Sequence, residues 1–246
     1  MTYARARLWT GILGVGSFVL LALALLFTGW RPVADGGFGT IWFVLASVAV
    51  MALPFDFIGG YLLPHRFGRQ APSRAEFVLD WARGVLVLVT ISAASGSLLL
   101  LAASAGGWLA AIGAFVGVSA LLILLQRPIA QLVGGLPRLE RSDGLIVVDA
   151  KDPAFSGGFD GPSGNLIVPR AWRDRFGPRL FQRLVERRRR ILNSGARTWS
   201  VLFALGWNTL GFTLASLLPG AGFANLGELI GTALGFTLWT FLGLLL

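Results

Sequence analysis

A chain of 246 residues that is 55% hydrophobic and 13% charged, with 33 glycines, departs far from the composition of a water-soluble domain. The absence of cysteine excludes a disulfide framework, a thiolate metal site and a cysteine nucleophile. The net charge of +9 resides almost wholly in arginine and takes its meaning from where those arginines fall.

In chain order, apolar stretches long enough to cross about 30 Å of hydrocarbon predict about six transmembrane helices. They cover roughly 8–29, 40–63, 84–105, 108–125, 199–218 and 223–246. The first follows Arg5 and Arg7 and is too long for a signal-peptide core, so it is read as a retained helix. Short Gly- and Pro-bearing connections at 31–39, 105–107 and 219–222 turn the spans into three helical hairpins. Trp30, Trp108, Trp199 and Trp207 lie near span ends, as interfacial anchors do.

Of the 21 basic residues, Arg31 alone falls in a loop between the first and second spans. Arg5 and Arg7 precede span one, Arg66, Arg69, Arg74 and Arg83 lie between spans two and three, and the rest lie between spans four and five. Basic residues near span ends stay on the cytoplasmic side. This predicts cytoplasmic termini and a location in a bacterial inner membrane. The positive charge is thus a topology signal, with attraction to anionic headgroups second and no nucleic-acid interface.

The expected division is a membrane domain of four helices at 1–126, a cytoplasmic α+β domain at 127–198 and a transmembrane hairpin at 199–246. The polar domain opens with the breaker run Gly134-Gly135-Leu136-Pro137. Two short β-branched runs follow, 144–148 and 165–169, joined by a turn-rich segment. After Gly177-Pro178, residues Leu180, Phe181, Leu184, Val185, Ile191 and Leu192 repeat at helical spacing. So small a domain buries little core alone.

The segment Asp149-Ala150-Lys151-Asp152-Pro153-Ala154-Phe155-Ser156-Gly157-Gly158, the strand Leu166-Ile167-Val168-Pro169 and the following helix resemble the catalytic domain of HtpX-like membrane zinc peptidases. In that family an Ala-Phe-x-x-Gly turn leads to an edge strand, and the next helix carries His-Glu-x-x-His. Aligning Ile191-Leu192-Asn193-Ser194-Gly195 with the tail of the motif places Glu186 and Arg190 at the histidine positions and Arg187 at the glutamate position. Arginine does not deprotonate to become a ligand, so neither zinc nor any other cofactor is expected. The resemblance therefore implies an inactive metallopeptidase.

As a scaffold or regulator, such a chain would hold another membrane protein or complex. Leu166, Ile167 and Val168 would accept an extended peptide by strand addition. Arg187, Arg188, Arg189 and Arg190 would meet an acidic partner or anionic headgroups, or would simply fix topology before span five. The alternatives are a transporter or channel subunit, with Asp56, Glu228, Asn208 and Thr209 lining a path, or an enzyme of unrecognised mechanism; no small-molecule substrate is identifiable. Asp56, a carboxylate within an apolar run, calls for a partner, and Arg66 or Arg69 is expected to form an ion pair with it. Glu228 is read as a structural rim residue, His65 as a loop residue, and Ser92, Ser95 and Ser97 as helix-contact residues.

Overall fold

The computed structural model describes residues 2–29, 38–69, 71–133, 138–142, 144–149, 155, 157–160 and 165–245. The expected first loop, the linker 134–137 and most of the turn from Ala150 to Gly164 lie outside the described residues. The chain is mainly helical and divides into two compact units, 1–117 with 207–246, and 118–206.

The first unit holds α1 (Tyr3–Thr28), α2 (Phe38–Phe57), a π-helical turn (Ile58–Leu62), α3 (Leu63–Arg66), most of α4 (Arg74–Leu132), the end of α7 (Ala196–Ala215) and α8 (Leu226–Leu245). The π turn has a local cause. Pro64 has no N–H to offer the carbonyl one α-turn back, and the Leu63 N–H bonds instead to the Ile58 carbonyl. Ser73 and Glu76 cap α4 reciprocally, the Ser73 N–H donating to Glu76 Oε2 at 2.7 Å and the Glu76 N–H to Ser73 Oγ at 3.2 Å.

Within α4 the backbone leaves helical geometry at Gly106 (φ −139°, ψ 16°) and Gly107 (φ 70°, ψ −162°). The second of these suits a residue without Cβ. Residues on both sides of the break, Leu99 and Ala111 among them, join one core cluster with Phe212, Phe223 and Leu229. Phe115 stacks on Phe212 at 3.9 Å between ring centroids, and Phe236 meets both edge-on. Where α7 meets α8, the Trp239 indole donates to the Trp207 carbonyl at 3.1 Å and lies over Gly211, where a Cβ would overlap the ring.

Four helices among the described residues are long and apolar enough to cross a membrane: Tyr3–Thr28, Gly39–Arg66, Arg74–Gln126 and Leu226–Gly243. Against the expected count of about six, the third and fourth predicted spans run together as α4, interrupted at the glycine pair. The fifth forms as α7 but, carrying Arg197, Asn208 and Thr209, is not among the four. The outward faces are apolar, with Phe27 88% and Leu109 75% exposed. Water would not tolerate that much contiguous apolar surface, whereas lipid solvates it. The chain is a multi-pass, membrane-embedded protein.

The second unit contains β1 (Arg138–Ser142), β2 (Leu145–Val148), β3 (Gly158–Asp160), β4 (Asn165–Pro169), α5 (Arg170–Arg175) and α6 (Pro178–Asn193), with the start of α7. The sheet has four strands in the order β1-β2-β4-β3. β2 and β4 pair in parallel, Leu145 opposite Leu166 and Val147 opposite Val168, while β1 and β3 add antiparallel on either side. The two β-branched runs are thus the sheet's centre. Their near-continuous apolar character is what burial on both faces requires, and Ile146, Val147, Val148, Leu166 and Val168 are all buried. Val185 of α6 closes one face over Val147, Leu166 and Val168, with Leu145 and Phe181 at its margin.

Candidate functional site

The arginine run expected to form a binding surface lies on α6 of the second unit. Gly177 and Pro178 start it, Pro178 taking the first-turn position where a missing N–H costs nothing, and Gly195 (φ 72°) follows its end. At about 100° per residue, Phe181, Val185 and Arg188 fall on one side of the helix. The structure uses that side for the core, with Val185 buried and Phe181 half-buried. Arg188 shares it. Its guanidinium lies 4.7 Å from the centre of the Trp172 ring of α5, a cation–π contact. Gly157 (φ 80°) passes beneath, and a Cβ there would overlap the Ile167 carbonyl oxygen and press on the Arg188 guanidinium.

The four consecutive arginines therefore do not act as one surface. Arg188 turns inward to Trp172, and the exposed Arg187 and Arg190 fall on the solvent side with Arg179 and Arg183, in a stripe spaced four, four and three residues apart. Arg189 projects from the other edge of the polar face. Leu180, 49% exposed, and Ile191, 46% exposed, border the stripe. Sequence reasoning missed both the stripe and Trp172, although the helical spacing of 179, 183, 187 and 190 carried the first.

Two expectations for this unit are corrected. Leu166, Ile167 and Val168 do not form an edge strand: β4 is bonded on both sides, to β2 and to β3, so its backbone donors and acceptors are taken and strand addition there is closed. The edges are β1 and β3. Nor is the domain a strand–turn–strand–helix unit, because two further strands and α5 accompany the expected elements.

At the positions aligned with the peptidase motif, Glu186 and Arg190 share a helix face one turn apart, but the exposed Glu186 carboxylate accepts the Gln182 amide at 3.1 Å. Arg187 and Arg190 offer no lone pair to a metal. Among the described residues no group of three or more His, Cys, Asp or Glu side chains gathers. These residues do not fit a zinc ion.

In the first unit, the expected ion pair of Asp56 with Arg66 or Arg69 is not formed. Asp56 Oδ2 accepts the Trp81 indole N–H at 3.1 Å, and the Arg69 guanidinium lies 4.2 Å over the Tyr3 ring. Arg66 is exposed. His65 is helical rather than in a loop, in α3, with its Nδ1 2.7 Å from the Tyr61 carbonyl oxygen and its ring against Tyr61. Glu228 acts as a helix cap: its carboxylate accepts the Ala224 N–H at 2.9 Å, and its own N–H donates to Asn225 Oδ1 at 3.0 Å. Ser95 and Ser97 donate to carbonyls one turn back in α4.

No family model, no curated protein and no solved structure matches this chain.

Proposed function

We propose that this protein is a membrane scaffold or regulator, an inactive relative of the HtpX-like peptidases, in which the basic face of α6 holds an acidic segment of another membrane protein. The observation that carries this reading is the stripe of Arg179, Arg183, Arg187 and Arg190 on the solvent side of a helix whose other side is committed to the sheet. A guanidinium row of this kind recognises carboxylates or phosphates by charge-assisted hydrogen bonds. Nothing comparable supports catalysis, since the positions of the zinc motif hold Glu186, Arg187 and Arg190.

In this reading the chain crosses a bacterial inner membrane six times, with α4 counting twice on either side of Gly106-Gly107 and α7 counting once. A straight helix of the length of α4 would extend about 88 Å, nearly three times the hydrocarbon thickness. The second unit and both termini face the cytoplasm, as the distribution of arginine favours.

The test uses the detergent-solubilised full chain with poly-glutamate as probe and neutral poly-glutamine as control. Near a charged surface each basic residue contributes about 1 kcal/mol, so Arg183→Gln with Arg187→Gln should weaken binding about thirtyfold at low salt and much less at high salt. Arg188→Gln should instead lower the thermal stability of the unit, because it removes the Trp172 contact. Unchanged poly-glutamate binding in the Arg183/Arg187 variant would leave the arginines as a topology signal alone.

A further inference from the structure

Asp56 sits in an otherwise apolar helix, and among the described residues its carboxylate has the Trp81 indole as its hydrogen-bond partner and no cation. An ionised carboxyl group offers about four acceptor positions, and one of them is used here. It lines a cavity of about 640 Å³ between α1, α2 and the start of α4, whose other charged walls are Asp80 and Arg7. Beyond this polar tier the walls are apolar, from Gly11 and Gly14 to Phe18 on α1 and Phe55 on α2. From Arg7 to Phe18 the groove follows α1 for about 16 Å, close to the depth of one leaflet's hydrocarbon. The room comes from glycine. Nothing lies within 4 Å of where a Cβ would stand at Gly11, and the nearest atom to one at Gly59 is the Thr10 methyl at 3.9 Å.

We infer that this groove binds an aminophospholipid, its primary ammonium donating to the Asp56 and Asp80 carboxylates, its phosphate facing Arg7 and an acyl chain running along Gly11 and Gly14 toward Phe18. The charges select the headgroup. Two carboxylates and one guanidinium make the wall net negative, which disfavours an anionic glycerol headgroup. A quaternary choline has no N–H to give, whereas a primary ammonium has three donors. A divalent cation is a poorer match, with two carboxylates and an arginine in the same wall. The inference needs these helices to lie in the bilayer and is independent of the scaffold reading, which is tested on α6.

The experiment is native mass spectrometry of the full chain in mild detergent, with equimolar phosphatidylethanolamine, phosphatidylcholine and phosphatidylglycerol of matched acyl chains. Retention of phosphatidylethanolamine should exceed the other two about tenfold, the scale of a charge-assisted hydrogen bond. Asp56→Asn keeps the acceptor for Trp81 but removes the charge, and should abolish the preference without changing phosphatidylcholine retention. Gly11→Phe fills the groove and should reduce all three lipids, whereas Gly16→Phe, also open to surroundings but outside the groove, should change none. Thermal unfolding in the same detergent identifies folded variants, and Gly11→Phe stands as the second test if Asp56→Asn does not fold. Equal retention of the three lipids by the native chain would overturn the inference, and so would a phosphatidylethanolamine preference that survives both Asp56→Asn and Gly11→Phe.

Discussion

Thr232 is fully buried in α8, and its hydroxyl closes a two-bond ring with Gly222: it accepts the Gly222 N–H at 2.9 Å and donates to the Gly222 carbonyl at 3.0 Å. That ring pins the loop between α7 and α8, where Gly222 has φ 147° and is itself buried. Thr232→Val preserves shape and removes the hydroxyl. The Gly222 N–H retains a second acceptor, the Glu228 carbonyl at 3.2 Å, but the Gly222 carbonyl loses its donor. One buried unsatisfied carbonyl costs about 1–3 kcal/mol. At about 2–4 °C per kcal/mol for a chain of this size, the unfolding midpoint in detergent should fall by about 2–12 °C. Thr237→Val is the control. Its hydroxyl donates to the Ala233 carbonyl from an exposed position, so its removal should stay within about 0.5 kcal/mol. A Thr232→Val midpoint equal to that of Thr237→Val would refute the assignment of the ring as what holds the loop.

Leu166→Ala should cost the second unit about 2–5 kcal/mol, since the side chain is fully buried at the centre of the sheet; hydrogen exchange should show lost protection in β2 and β4 together, and unchanged protection there would contradict their parallel pairing. Gly211→Ala places a methyl group against the Trp239 indole and should destabilise by about 1–3 kcal/mol, with a shift in tryptophan emission; a neutral substitution would mean that α7 and α8 approach less closely. Reporter fusions at Ser142 and after Leu246 should read cytoplasmic and those at Asp35 and Ala221 external, and an external signal at Ser142 would reverse the orientation proposed from the arginines.

The amino-acid sequence by itself determined that this is a membrane-embedded, mainly helical protein, because the length of an apolar run is a local property that lipid thickness reads directly. It also located α6 and the two central strands, whose periodicity and β-branched runs are local too. What it left open was pairing. Leu166-Ile167-Val168 reads the same as an edge or a centre, and only the addition of β3, three residues beginning at a glycine, made it a centre. Likewise, four adjacent arginines form one block in the sequence, but a helix distributes them around its axis, and the position of Trp172 on α5 decided that Arg188 faces inward. Asp56 announced itself as a carboxylate in need of a partner. The nearest arginines in sequence were the natural expectation, yet Trp81 supplies the bond from 25 residues away, because contacts between helices follow the packing of their faces and not proximity along the chain.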